Sequence, residues 1–84
     1  MLIDGIARVA HESLRAYRNA LGEPSAPNWD GATLAQRERM LETVKHVLTH
    51  PDCDLHAVCA GLAVQDFRKA RLVRAVILSL MGAQ

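Results

Sequence analysis

Apolar side chains recur every three to four residues in four blocks along this sequence, and nowhere do they alternate residue by residue over the length of a strand. That periodicity confines the chain to helices. Ile6, Val9, Ala10, Leu14, Tyr17 and Leu21 predict a first helix from about Asp4, as its N-cap, to Leu21, with Gly22 as the residue that stops it. A second block, Leu34, Met40, Leu41, Val44, Val47 and Leu48, opens at Thr33-Leu34-Ala35-Gln36 in the order of a capping box and closes at His50-Pro51. A short third helix follows a cap at Asp52 or Asp54 and presents Leu55, Val58, Cys59 and Leu62. A fourth, capped by Asp66 and ended at Gly82, carries Phe67, Ala70, Val73, Val76, Ile77, Leu80 and Met81. The residues leave open whether the third helix stops near Gly61 or runs on into the fourth. The stretch 23–31 holds two prolines and a glycine and cannot continue a helix.

The expectation is therefore an all-α fold, a small bundle of about four helices, with residues 1–84 forming one domain. At 84 residues a folded chain hides only roughly 60–65% of the surface it exposes when unfolded, so there is material for one modest core. One Trp, one Tyr and one Phe in a sequence that is 50% hydrophobic make that core aliphatic. Met1-Leu2-Ile3-Asp4 has neither the charged nor the long apolar region of a signal peptide. The longest apolar run, Val73 to Gly82, is interrupted by Arg74 and reaches about half the roughly 20 residues needed to cross a membrane. Without a secretion signal, Cys53 and Cys59 read as free thiols in a reducing, cytoplasmic setting.

Charge excludes some functions. The formal net charge is +1, too balanced for a dedicated nucleic-acid binder. Of the 10 basic residues all but Lys45 and Lys69 are arginine, whose planar fork suits carboxylate or phosphate, although a solvated surface accounts for the bias equally. His50-x-x-Cys53-x-x-His56-x-x-Cys59, with His46 a turn earlier, offers atom types that zinc accepts. Each three-residue step on a helix turns the side chain by roughly 60°, so these four fan over about half a cylinder and do not converge. Cys59 also falls on the apolar face of its helix. No metal or cofactor site is expected, and without a nucleophile elbow, P-loop, G-x-G-x-x-G or H-E-x-x-H there are no catalytic candidates.

Binding candidates come from placement. Arg8, His11, Arg15 and Arg18 form one stripe on the first helix, which a solvated polar face explains as well as an anion-binding ribbon does. Arg37 falls in the centre of the second helix's apolar arc and Arg74 at the edge of the fourth's. A buried guanidinium needs a partner, here a carboxylate such as Glu12, Asp30 or Glu38, or a bound anion. Trp29, in the proline-rich loop, either plugs the end of the core or offers a stacking surface to a planar group. Leu72 and Leu78 lie off the main stripe of the fourth helix, an apolar surplus that predicts a homodimer or higher homo-oligomer.

The run from His11 to Gly22, with His11-Glu12 and Arg15-Ala16-Tyr17 ahead of Leu21-Gly22, leads through Ser25-Ala26-Pro27-Asn28 to Trp29. With Gln36-Arg37 and the stretch Lys69 to Ile77, this resembles the RyR domain, the module repeated in ryanodine receptors and found alone in phage proteins. The similarity spans roughly two-thirds of the chain, its order being more specific than any one piece. His50 to Gln65 replaces a family middle segment that carries a second Trp, a Lys and a Gly-Trp pair. The resemblance implies a non-enzymatic phage or prophage accessory protein that binds a small nucleotide-like ligand, sequestering a host anti-phage signal. Its matching ligand-binding positions are His11, Arg15, Tyr17, Trp29, Arg37 and Arg74. The alternative is a helical protein-interaction module, a dimerising inhibitor or antirepressor-like protein with no small ligand.

Overall fold

The computed structural model describes residues 2–82, which form four helices and, among the described residues, no strand: α1 (Ile3–Ala20), α2 (Leu34–Thr49), α3 (Leu55–Leu62) and α4 (Phe67–Gly82). α4 and α2 touch each other, and each also packs on both α1 and α3, whereas α1 and α3 do not meet. The core lies where these pairs converge. Ile6, Val44, Val47, Val58, Val73 and Ile77 are its largest fully enclosed side chains, joined by Ala7, Ala10 and Ala70, which let the helices approach closely. Among the described residues no helix is long and apolar enough to cross a membrane.

Each helix boundary has a local cause. α1 begins at Leu2, which supplies no side-chain cap; the expected cap, Asp4, lies instead within the first turn, where its charge complements the positive end of the helix dipole. At the other end Gly22 takes φ 79°, and Glu23 N–H donates to the Arg18 carbonyl at 3.0 Å. This reversal demands a left-handed residue, so glycine belongs there. The capping box of α2 is complete: Thr33 Oγ1 accepts from Gln36 N–H at 3.1 Å and Gln36 Oε1 from Thr33 N–H at 2.9 Å. Asp54, rather than Asp52, caps α3.

α3 stops at Leu62. Ala63, with φ 55° and no glycine's freedom, turns the chain, and Val64 N–H closes on the Cys59 carbonyl at 3.0 Å. Asp66 then caps α4 by accepting from Arg68 N–H at 2.8 Å, while the Arg68 guanidinium folds back on the same carboxylate. Those side-chain and backbone hydrogen bonds from Arg68 hold the Asp66 carboxyl below its ordinary range.

Several side chains depart from the periodic reading. Val9 is 38% exposed and Leu21 also faces outward, because the buried arc of α1 centres on Ile6, Ala7, Ala10 and Leu14. Leu34 is 65% exposed: it is the first residue of α2 and lies beyond the helices that cover the later turns. Phe67 and Met81 lie at the two ends of α4 and are exposed for the same reason. Leu78 packs against the core and Leu72 is partly covered, so the chain itself takes up part of the apolar surplus of α4. Buried Thr43 satisfies its hydroxyl by donating to the Arg39 carbonyl at 2.9 Å, and it sits against Gly61, where a Cβ would lie 2.7 Å from Thr43 Oγ1. The α2–α3 crossing is that close.

His46 stacks on His50, His56 meets Phe67 edge to face, and Cys59 is buried in the core. No three His, Cys, Asp or Glu side chains converge among the described residues.

Candidate functional site

The connection between α1 and α2 has no regular backbone pairing of its own from Glu23 to Asn28, so its carbonyls need donors from elsewhere. The charged stripe of α1 supplies them. Arg15 Nε donates to the Ala26 carbonyl at 2.9 Å, and His11 Nε2 donates to that of Pro27 at 2.9 Å. Arg8 grips the Asp30 carboxylate through both terminal nitrogens, at 3.0 and 3.4 Å. From α4, Lys69 Nζ reaches Glu23 Oε1 at 2.8 Å. The first three members of this stripe, Arg8, His11 and Arg15, clasp a loop while Arg8 keeps about half of its side chain in solvent. Arg18 makes no side-chain hydrogen bond or ion pair among the described residues.

The clasp seats Trp29. Its indole is 8% exposed, belongs to the core cluster and meets the His11 ring edge-on, with centroids 5.5 Å apart. Of the two roles open to it, sealing the end of the bundle is the one its burial displays. Its remaining surface borders a cavity of about 420 Å³ between the N-terminal halves of α1 and α2, within the roughly 300–1,000 Å³ usual for small-ligand sites. Asp4 and Arg8, four residues apart on α1, form one wall; Leu34, Arg37, Glu38 and Leu41, spaced over two turns of α2, form the other.

Arg37 occupies this wall without the carboxylate partner its position calls for. Its Nε is buried and makes no hydrogen bond, and the guanidinium forms no ion pair among the described residues. Asp30 is committed to Arg8. Glu12 is shared with Arg15, at 3.7 Å through one oxygen, while its other oxygen is buried without a partner. A buried donor left unmatched costs about 1–3 kcal/mol, and the chain's own described residues do not offset that cost at Arg37.

Of the six positions singled out from sequence, Trp29 and Arg37 share this cavity, and His11 stands behind Trp29. Arg15 is engaged with the loop backbone. Tyr17, partly buried, is about 20 Å along α1 from Asp4 and does not line the cavity. Arg74 neither pairs with a carboxylate nor lines the cavity: it donates to the Cys53 carbonyl at 2.8 Å and secures the α2–α3 connection. Asp4 and Leu41 were not singled out from sequence for binding, Arg8 was singled out only as part of the charged stripe of α1, and Glu38 only as a carboxylate partner for Arg37. The signal was present as i, i+4 pairs on two helices, Asp4 with Arg8 and Leu34 with Glu38, but that these face each other depends on how α1 crosses α2.

Comparison of the chain with family models, with curated proteins and with solved structures returned no match, so the site is argued from its own geometry.

Proposed function

We propose that this protein is a non-enzymatic binder of a small nucleotide-like ligand, held in the cavity between the N-terminal halves of α1 and α2. The observation that carries the reading is the buried, unpartnered Nε of Arg37 on the wall of a cavity that also presents an indole. A ligand oxygen bearing negative charge pairs with the guanidinium that this side chain brings to the cavity, which no carboxylate among the described residues neutralises. Leu34, Leu41 and the open edge of Trp29 give an apolar bed for a planar group, and the Asp4 and Glu38 carboxylates accept from amino or hydroxyl groups. A molecule combining an anionic group, a flat ring and several N–H or O–H donors meets all three, which is the chemistry of a mononucleotide or cyclic nucleotide. Sequestering such a signal, as the RyR-domain resemblance implies, requires binding alone.

Isothermal titration against mono-, di- and cyclic nucleotides tests this. We expect saturable binding by at least one of them, and Arg37→Met to lower its affinity by about 1.5–3 kcal/mol while the fold is kept. Flat titrations on well-folded protein, or full affinity in Arg37→Met, would overturn it. A second reading, an interaction module that pairs with itself, is favoured by Leu2 and Leu34, exposed at 83% and 65%. It predicts a dimer mass in light scattering together with flat titrations.

A further inference from the structure

On the other side of the Pro27 segment from the Trp29 cavity lies a second, smaller groove of about 90 Å³ between the C-terminal half of α1 and the first turns of α2. Its polar lining is His11, Arg18, Gln36 and Arg39, and no carboxylate borders it. We propose that this groove is a separate binding site for a tetrahedral oxyanion of the phosphate class.

The acceptors that the loop and the capping box bring to the groove are engaged, and the charged side chains left over are donors. The Ala26 carbonyl receives Arg15 Nε, and the Pro27 carbonyl receives His11 Nε2. Gln36 spends its Oε1 on Thr33 N–H in the capping box, which orients the amide and leaves the Nε2 hydrogens unpaired among the described residues. Arg18 and Arg39 make no ion pair and no side-chain hydrogen bond there either, although they are like charges brought from two helices to one groove. Leu14, Met40 and Leu62 contribute apolar surface to its lining and offer no acceptor side chain that would compete for the two guanidinium groups. Two guanidinium forks and one amide are a donor set that matches several oxygens of one anion at once. The volume suits an oxyanion group and falls well short of the range for a whole nucleotide. This inference is independent of the Trp29–Arg37 reading, since the two sites share no lining residue.

The test is a titration of the full chain with inorganic phosphate at constant ionic strength, followed by the side-chain amide signals of Gln36 and the guanidinium Nε signals of Arg18 and Arg39. Phenyl phosphate and acetate serve as parallel arms. The expected result is a saturable shift of these signals with phosphate, weakened about tenfold in either Arg18→Gln or Arg39→Gln and unchanged in Arg37→Met. Tighter binding of phenyl phosphate would mark an organic phosphate as the natural source, and equal or weaker binding would mark the free ion. Absence of a saturable shift, acetate matching phosphate, or affinity unaltered in both Arg18→Gln and Arg39→Gln would each overturn the proposal. Arg39 is exposed and outside the core, so its variant reports on binding even if Arg18→Gln disturbs α1.

Discussion

The connection from α1 to α2 and the connection from α3 to α4 both reverse the chain, but by opposite means. The second closes on itself: four residues, 63–66, are enough, because Val64 N–H returns to the Cys59 carbonyl and Asp66 caps the next helix. The first, residues 21–33, closes on itself only around Asn28 to Ala32 and otherwise draws its donors from outside, from Arg8, His11 and Arg15 on α1 and from Lys69 on α4. A loop closed mainly through its own backbone holds only side chains next to it in sequence, here Asp66 and Arg68. A loop satisfied from neighbouring helices fixes a row of cationic side chains in place, and both candidate sites lie along that row. The contrast predicts that damage to the first connection is costly and felt at the sites, whereas changes to the second are small and local.

The largest effect is expected at Trp29, the residue the clasp exists to seat. Trp29→Ala removes the only aromatic ring in the core cluster and should destabilise by about 3–5 kcal/mol, a large part of what a domain of this size has. Chemical denaturation measures it. A loss below about 1 kcal/mol would show that the indole is a surface group, and that the first connection is no more integral than the second.

Next comes Arg15→Met, which keeps the apolar stem and deletes the donor to the Ala26 carbonyl. We expect a loss of about 1–2 kcal/mol, in the lower range for a charged hydrogen bond because Arg15 is partly exposed. Amide exchange in residues 23–28 should accelerate more than in α3 or α4. Uniform acceleration across the molecule would break the claim that the clasp acts locally.

How much of this was legible in the sequence follows from the same contrast. The self-contained devices were: Gly22 after α1, the Thr33–Gln36 box and the Asp66 cap are read from residues a few positions apart, and the structure has all three. So was the anomaly of Arg37, since its place in the apolar arc needs only the helical period. What the period cannot show is which neighbour a polar stripe faces. Arg8, His11 and Arg15 look like any solvated face until the loop lies across them. Asp4 and Glu38 are unremarkable until α1 and α2 cross. Ala63 gave no turn signal, because the left-handed position is held by a residue without glycine's freedom; a stop of α3 near Gly61 was therefore only one of two readings, where that of α1 was plain.

That position supplies a prediction of the opposite sign. A left-handed conformation costs alanine about 1 kcal/mol that glycine does not incur, and the greater freedom of glycine in the unfolded chain offsets part of it. Ala63→Gly should therefore stabilise by about 0.5 kcal/mol, raising the melting temperature by a few degrees. No change in amide exchange at residues 23–28 is expected. A destabilised variant would mean that the α3–α4 turn depends on contacts of the Ala63 methyl group rather than on backbone closure.

The smallest effect concerns the other half of the same turn. Asp66 has its pKa lowered in the folded protein by the hydrogen bonds from Arg68, so the folded state binds a proton less readily than the unfolded chain does. The stabilisation it contributes is therefore fully present above the unfolded value, about 3.9, and is lost as pH falls through the lower folded value. Asp66→Asn isolates this term, because asparagine still caps Arg68 N–H but carries no charge to titrate. Stability differences between the wild type and the variant should be constant from about pH 7 to about pH 5 and shrink below about pH 4. The gap should be modest and close with added salt, since the Arg68 side of the pair is largely exposed. If the gap instead persists undiminished at the lowest pH where both proteins fold, the carboxylate's charge is not what holds the start of α4. The turn would then rest on the cap hydrogen bond alone, which sharpens the contrast with the ion-clasped loop between α1 and α2.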